Sequence, residues 1–481
     1  MDKKIFCCMM LWLLAVSASA YSNLQQRVEQ ILHQHNYDTA GIGIMVVDLE
    51  QDSVVISVNA DSPMNPASVN KLLTGAAAME LLGPTYTFST NVYMDGDFNS
   101  QNGILKGDLY IQGRGDPGFS AERLWLFVQH LYHRGLREVQ GDLVLDNSFF
   151  DSVSLGPGYY EGASSFAYLP LISPLAANFS TVAIHHRSGY AEGSPVAVDI
   201  FPKIEGVVVR SSARTAPAGT RRNLDVTTSL TAGKTQVDVR GELPLNGTPG
   251  YTYRRLWQTW EVFGGALRAM FTESGISVMG QTVEGVVSET IERQGPFYSF
   301  TSRRLTDFVD NMFKFSSNFA SEMVFKTLSV KNNSVPGSWQ GGAQAITQWW
   351  HNRELPGAPV MVNGSGMGDE NRISASEITA LLSYVQQQKS YYPDFLSALS
   401  VSNVDGTLAD RFRQSRLRGV VRGKTGTLNS LRVSTLAGYI LLRDKTYAFA
   451  VLCNNVGSGQ FDNWVMQERI VDLVAAGTGA W

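Results

Sequence analysis

Apolar and polar positions alternate in two places that mirror one another along the chain. Gly41 to Leu49 (G-I-G-I-M-V-V-D-L) and Val54 to Val58 flank the polar stretch E-Q-D-S and predict a hairpin. Near the other end, Leu431 to Leu442 and Tyr447 to Asn454 flank R-D-K-T and predict a second hairpin. Trp464 to Ala476 then repeats its apolar residues at helical spacing. Residues 62–84, S-P-M-N-P-A-S-V-N-K-L-L-T-G-A-A-A-M-E-L-L-G-P, behave differently. Asn65 and Pro66 predict a helix start and Gly83-Pro84 its stop, and no polar face separates them. A helix apolar nearly all round belongs inside a protein. This one carries Lys71, with no further charge until Glu80, and Ser68 lies one turn back on the same face.

Strands at both ends and this helix near the start predict one α/β domain whose sheet is built from both termini. The middle has another texture. Residues 91–181 hold G-D-L-Y-I-Q-G and G-D-L-V-L-D-N around the helical stretch A-E-R-L-W-L-F-V-Q-H-L-Y-H-R-G. From about 187 to 250 the chain is strand-like and rich in turns, and helical periodicity returns at Trp257 to Ser274. These read as insertions into the terminal domain: a first domain from 21–90 and 301–481, a second from 91–186 and 251–300, and a β-rich third from 187–250. The R-G-D tripeptide at Arg114–Asp116 lies in G-R-G-D-P-G and reads as a tight turn.

The first twenty residues change the picture. Lys3 and Lys4 precede an apolar run from Ile5 to Val16, closed by Ala18-Ser19-Ala20, which reads as a secretory signal peptide cleaved after Ala20. Its removal takes Cys7 and Cys8 with it and moves the net charge from −4 to −5. An exported, periplasmic destination follows, either soluble or loosely membrane-associated, and no second apolar run is long enough to span a membrane. Mild acidity gives no footprint for nucleic acid. Cys453 is left alone in an apolar strand, so no internal disulfide forms, and the 44% hydrophobic content must supply a conventional core.

Seven histidines lack zinc-site spacing, so no metal or cofactor is implied. The pair His185-His186 reads as ordinary surface residues on opposite faces of a strand. The stretch Asn363-Gly364-Ser365-Gly366 misses the nucleophile-elbow pattern in register and reads as structural. A serine nucleophile can instead use a lysine as its base, provided the lysine is neutral. Desolvation on an apolar helix, or a neighbouring cation, favours that form. Ser68–Lys71 is the one serine three residues before a lysine, and Lys424-Thr425-Gly426 is the one K-T-G. The K-T-G stretch directly precedes the second hairpin, which predicts an edge strand. There a cation, a hydroxyl and a bare backbone position make a cradle for a carboxylate. S-x-N occurs four times. Ser316–Asn318 is chosen because it lies in a short connection between two apolar helical stretches.

S-x-x-K, S-x-N and K-T-G in that order resemble the penicillin-recognising serine acyl-transferases. The 248 residues separating Ser68 from Ser316 resemble the D-alanyl-D-alanine carboxypeptidase/endopeptidases of the penicillin-binding protein 4 (S13 peptidase) type, which carry two extra domains there. Further matches are G-R-G-D-P, G-D-L-V-L-D, N-G-S-G-M-G-D-E-N-R-I-S, V-D-G-T-L-A-D-R and K-T-G-T-L; Ser317 departs where an aspartate is common. The resemblance implies a β-lactamase-like α/β domain with an antiparallel sheet and a helical subdomain, interrupted by two β-rich insertions. It also implies cleavage of D-Ala-D-Ala ends and D-Ala–meso-diaminopimelate cross-links of peptidoglycan through a Ser68 acyl-enzyme, with β-lactams as covalent inhibitors. Lys71 is then the base, Ser316 a proton relay, and Asn318 a ligand of the substrate amide. Lys424 and Thr425 hold the carboxylate, Gly426 lies between, and the backbone N–H groups of Ser68 and Thr427 form the oxyanion hole. A serine β-lactamase and a non-catalytic scaffold for wall assembly are the alternatives. Glu242–Asn246 (E-L-P-L-N) mimics a deacylating motif but precedes Ser316, and reads as a turn.

Overall fold

The computed structural model describes residues 23–34, 37–159, 164–331, 336–457 and 459–477. The expected signal peptide lies outside them. The chain divides into two compact units, one formed by the chain up to Pro84, Val309–Ser317 and Ala343 onward, the other by Thr85–Phe308 and Asn318–Gly342.

The first unit is organised by a fully antiparallel six-stranded sheet. Its strands are β1 (Ile42–Asp48), β2 (Ser53–Val58), β3 (Ser400–Val401), β4 (Val421–Leu428), β5 (Val433–Leu441) and β6 (Thr446–Asn454). They lie in the order β3-β4-β5-β6-β1-β2, so the two terminal hairpins join through β6 and β1, with Ile44 opposite Val451. On one face, Leu24, Val28 and Leu32 of α1 (residues 23–34) recur every four residues and are buried. They join Ile470, Val471 and Val474 of α4 (Gln460–Gly477) in a core with Leu436 and Ile440 of β5. Cys453 is in that core, and burial pushes its thiol up to about 12, leaving it inert. The opposite face carries α3 (Ala375–Gln386), started by a capping box of Ser374 and Glu377, whose Leu382 carbonyl accepts from Tyr439 of β5.

On this second face also lies the segment carrying Ser68. The helix starts later than the sequence predicts: α2 spans Lys71–Leu81, and a 3-10 turn, Ala67–Asn70, precedes it. The Asn65 side chain accepts from Ala67 N–H instead of capping a helix, and Ala67 sits at a φ of 46° that an α-helix cannot hold. Gly83 at φ 92° follows the helix end as expected.

The second unit holds a seven-stranded sheet in which Thr87–Asn99 and Ile104–Gly113 form the long central hairpin. Helices Ala121–His133 and Trp260–Glu273 pack into its core through Leu124, Phe127, Phe263 and Leu267. Two smaller sheets take up residues 181–255, one of four strands and one of three. His185 is exposed, but His186 is buried, with its ring against Thr252 and Arg222, so the surface reading fails for it. Glu242–Pro244 ends the strand Lys234–Pro244, and only the residues after it turn. The G-R-G-D-P-G stretch does turn: Gly118 N–H donates to the Asp116 carboxylate, which is buried. The mixed α/β fold with antiparallel sheets is the class anticipated from the sequence.

Candidate active site

Ser68 sits in the 3-10 turn and Lys71 opens α2, three residues on and fully buried. The Lys71 Nζ is 2.8 Å from Ser68 Oγ and donates to the Ser365 carbonyl at 2.7 Å. That second contact gives the N-G-S-G loop a part the sequence did not reveal. Asn70, which ends the 3-10 turn, and Thr74 of α2 donate to the Asn363 and Gly364 carbonyls, so the loop is fastened along the turn and helix by three successive backbone acceptors. Gly366, at φ 80°, closes the loop so tightly that a Cβ there would lie 1.9 Å from the Ala67 carbonyl oxygen. No other residue fits. The match N-G-S-G-M-G was the available signal; its hydrogen-bonding role was not.

Lys424, Thr425, Gly426 and Thr427 lie on β4. The strand is not quite an edge: two-residue β3 pairs with Arg422 and Gly423, and stops before Lys424. Lys424 and Gly426, two apart, face the same side. A Cβ on Gly426 would come 2.9 Å from the Ser68 backbone nitrogen and 2.2 Å from Thr435 Oγ1. The glycine therefore lets the K-T-G backbone lie against the nucleophile turn, which Thr435 also ties by donating to the Pro66 carbonyl. Thr427 accepts from the Gln460 side chain at 3.1 Å, a contact from the start of α4 that no local pattern announces.

Lys424 Nζ donates to Ser316 Oγ at 2.9 Å and to the Thr425 carbonyl at 2.6 Å. Ser316 follows the helix Leu305–Lys314 at φ 54°, a left-handed conformation costly for serine, held partly by the Ser317 N–H donating to Asn311 O. Complete burial of Lys424 pushes its ammonium down to about 7 by penalising the charged form. Ser68, Lys71, Ser316 and Lys424–Thr427 thus all belong to the first unit. Asn318 opens the helix Asn318–Lys331 in the second unit, where its amide donates to the Tyr168 carbonyl at 2.8 Å. Among the described residues no cluster of metal-ligating side chains occurs, and no helix is long and apolar enough to cross a membrane.

A serine hydroxyl against a buried lysine, with a K-T-G strand laid on its backbone, defines the class of penicillin-recognising serine hydrolases. Residues 24–476 match the D-Ala-D-Ala carboxypeptidase 3 (S13) family, and the chain belongs to it, as a serine-type D-Ala-D-Ala carboxypeptidase. A D-alanyl-D-alanine carboxypeptidase of Actinomadura sp. strain R39 is 29% identical over 455 residues, covering 92% of this chain and 83% of the relative. The crystal structure of penicillin-binding protein 4 from Haemophilus influenzae superposes with a TM-score of 0.78 at 20% identity, over 94% of this chain and 99% of that one. A penicillin G-acylated predatory endopeptidase from Bdellovibrio bacteriovorus gives a TM-score of 0.50 at 15% identity, over 91% and 92% of the two chains. These two structural likenesses are of fold.

Proposed function

We propose that this enzyme cleaves D-Ala-D-Ala ends and D-Ala–meso-diaminopimelate cross-links of peptidoglycan through an acyl-enzyme on Ser68. The observation that carries the assignment is the 2.8 Å approach of Lys71 Nζ to Ser68 Oγ beside the K-T-G backbone. Neutral Lys71 takes the Ser68 proton as Oγ attacks the carbonyl of the penultimate D-alanine. Backbone N–H groups of Ser68 and Thr427 stabilise the oxyanion, a contribution of about 3 kcal/mol per donor in comparable sites. Ser316, held by Lys424, relays the proton taken up by Lys71 to the departing amine, which returns Lys71 to its neutral form, and water then releases the acyl group. Lys424 and Thr425 bind the leaving carboxylate, and that anion restores the ammonium form that burial disfavours. The role given to Asn318 as a ligand of the substrate amide rests on its motif. A β-lactam acylates the same Ser68, and the composition of residues 1–20 supports export to the periplasm.

The test is intact-protein mass spectrometry after exposure to penicillin, paired with product identification from cross-linked peptidoglycan. One adduct is expected, absent in Ser68→Ala, together with released D-alanine and separated stem peptides. An adduct of undiminished yield in Ser68→Ala would overturn the assignment.

A further inference from the structure

The stretch V-D-G-T-L-A-D-R has no part in the chemistry above, yet it meets the K-T-G strand directly. Thr425 Oγ1 donates to Thr407 Oγ1 at 2.8 Å. Thr407 Oγ1 in turn lies 3.2 Å from Ser400 Oγ, which also accepts the Thr407 N–H at 3.1 Å. Ser400 is fully buried and pairs across β3–β4 with Gly423, the residue before Lys424, whereas Thr407 is exposed. Three hydroxyls therefore run in a row from the core to the strand that reads the carboxylate.

The row is held in place from the Ser316 side. Asp405 accepts from Val401 N–H at 2.8 Å and pairs with Lys314 Nζ at 2.8 Å; Lys314 also donates to the Leu399 carbonyl. Lys314 stands two residues before Ser316. One ion pair thus links the turn that supplies Ser316 to the loop that supplies Thr407, on either side of Lys424 and Thr425.

We infer that Thr407 is a positioning residue for the leaving-group carboxylate, acting through Thr425 as the middle of a donor chain that begins at Ser400. Each hydroxyl has one rotatable proton. As the structure stands, Thr425 gives its proton to Thr407. When a carboxylate enters, the Thr425 proton turns to it, Thr407 donates to the vacated Thr425 oxygen, and Ser400 donates to Thr407. Aligned donors polarise one another, so the chain strengthens the last hydrogen bond, the one to substrate. No bond other than hydrogen bonds changes. The inference rests on the reading of K-T-G as the carboxylate site.

The experiment measures kcat/KM for a peptide ending in D-Ala-D-Ala and for its C-terminal amide. Wild type, Lys424→Ala, Thr407→Val, Thr407→Ser and Ser400→Ala are compared, with thermal midpoints to follow folding. Wild type should prefer the free acid. Thr407→Val should lower the acid-to-amide ratio about five- to tenfold, the scale of one hydrogen bond between neutral groups, here the one between Thr407 and Thr425. Thr407→Ser should restore most of it, and Ser400→Ala should lower it less, in the same direction. If Thr407→Val does not fold, the Ser400→Ala ratio decides in its place. A wild type without acid preference, or one whose preference survives Lys424→Ala, overturns the carboxylate reading itself. A preference lost in Lys424→Ala but unchanged within twofold in Thr407→Val and Ser400→Ala overturns the donor chain alone.

Discussion

Replacing Lys424 with methionine should stabilise the fold while damaging recognition of the carboxylate, and the size of the gain should depend on pH. The side chain is fully buried, and its pKa falls from an ordinary 10.5 to about 7 because burial penalises the charge. A depression of that size corresponds to about 5 kcal/mol against folding wherever the ammonium is retained. The sign follows from proton counting. Between pH 7 and 10.5 the unfolded chain holds the proton and the folded one releases it, so wild-type stability rises with pH through this window. The penalty is complete below pH 7 and gone above 10.5. Methionine removes it but leaves Ser316 Oγ and the Thr425 carbonyl without their donor, offsetting roughly 1 kcal/mol each. Thermal midpoints of wild type and Lys424→Met at pH 6, 8 and 10 read the difference. Methionine should be ahead by most at pH 6 and its lead should shrink toward pH 10. The same depression predicts that wild-type kcat/KM for a free-acid peptide falls about tenfold per pH unit above 7, since only the ammonium binds the anion. A stability difference independent of pH would refute the reasoning, because it would mean that Lys424 is not titrating in the folded protein.

Lys71→Arg keeps a long basic side chain on α2 but stays charged and cannot accept a proton; it should fold and lose about 10²–10⁴-fold in Ser68 acylation rate, and a variant retaining more than about a tenth of wild-type rate would exclude Lys71 as the base. Asp116→Asn should stabilise the protein near pH 7.5. Burial raises that carboxyl from 3.8 to about 6 against a smaller opposing hydrogen bond from Gly118, and Oδ2 is buried without a partner. The folded state favours the protonated acid, so wild-type stability falls as pH rises from 3.8 to 6, by roughly 3 kcal/mol. The asparagine lead, read as a thermal midpoint, should vanish by about pH 4; an equal lead at both pH values would rule out titration of Asp116.

The parts of the molecule legible in the sequence are those fixed over short range. Alternation placed the four long strands of the terminal hairpins, because each strand has its own apolar face and the two hairpins meet only by β1 pairing with β6. Ser68 and Lys71 could be paired on paper because three residues make one helical turn, and the 3-10 geometry found there preserves that neighbourhood. The start of α2 differs from the sequence expectation because Asn65 spends its side chain on Ala67 N–H, where the chain also lies close against Gly366. Ser365, Thr407 and Gln460 were hidden for a related reason. Each reaches the site from a segment far along the chain, Ser365 by its backbone carbonyl; the N-G-S-G-M-G and V-D-G-T-L-A-D-R matches marked two of those segments, but no residue type or spacing gave the contact itself.

The site also shows why those distant segments are needed. Two lysines are buried completely within it, and Ala67 and Ser316 hold left-handed backbone conformations. Each of these departures costs stability, on the order of 1–3 kcal/mol for a strained non-glycine residue and more for an uncompensated ammonium. None would persist on a local turn alone. Three of them are met by distant segments, the Gly366 approach at Ala67, the Ser365 carbonyl at Lys71 and Ser316 at Lys424, while Asn65, the Thr425 carbonyl and Asn311 add contacts from close by in the chain. On the proposed role of Lys424, binding reverses the largest of these costs, because a substrate carboxylate would supply a charge partner for its buried ammonium. By linkage, a ligand that favours the ammonium form of Lys424 must bind with proton uptake above pH 7 and must raise the stability of the first unit. The energy held against folding by the buried ammonium would thus be returned selectively to anionic substrates, which is how one buried cation confers specificity in the proposed reaction.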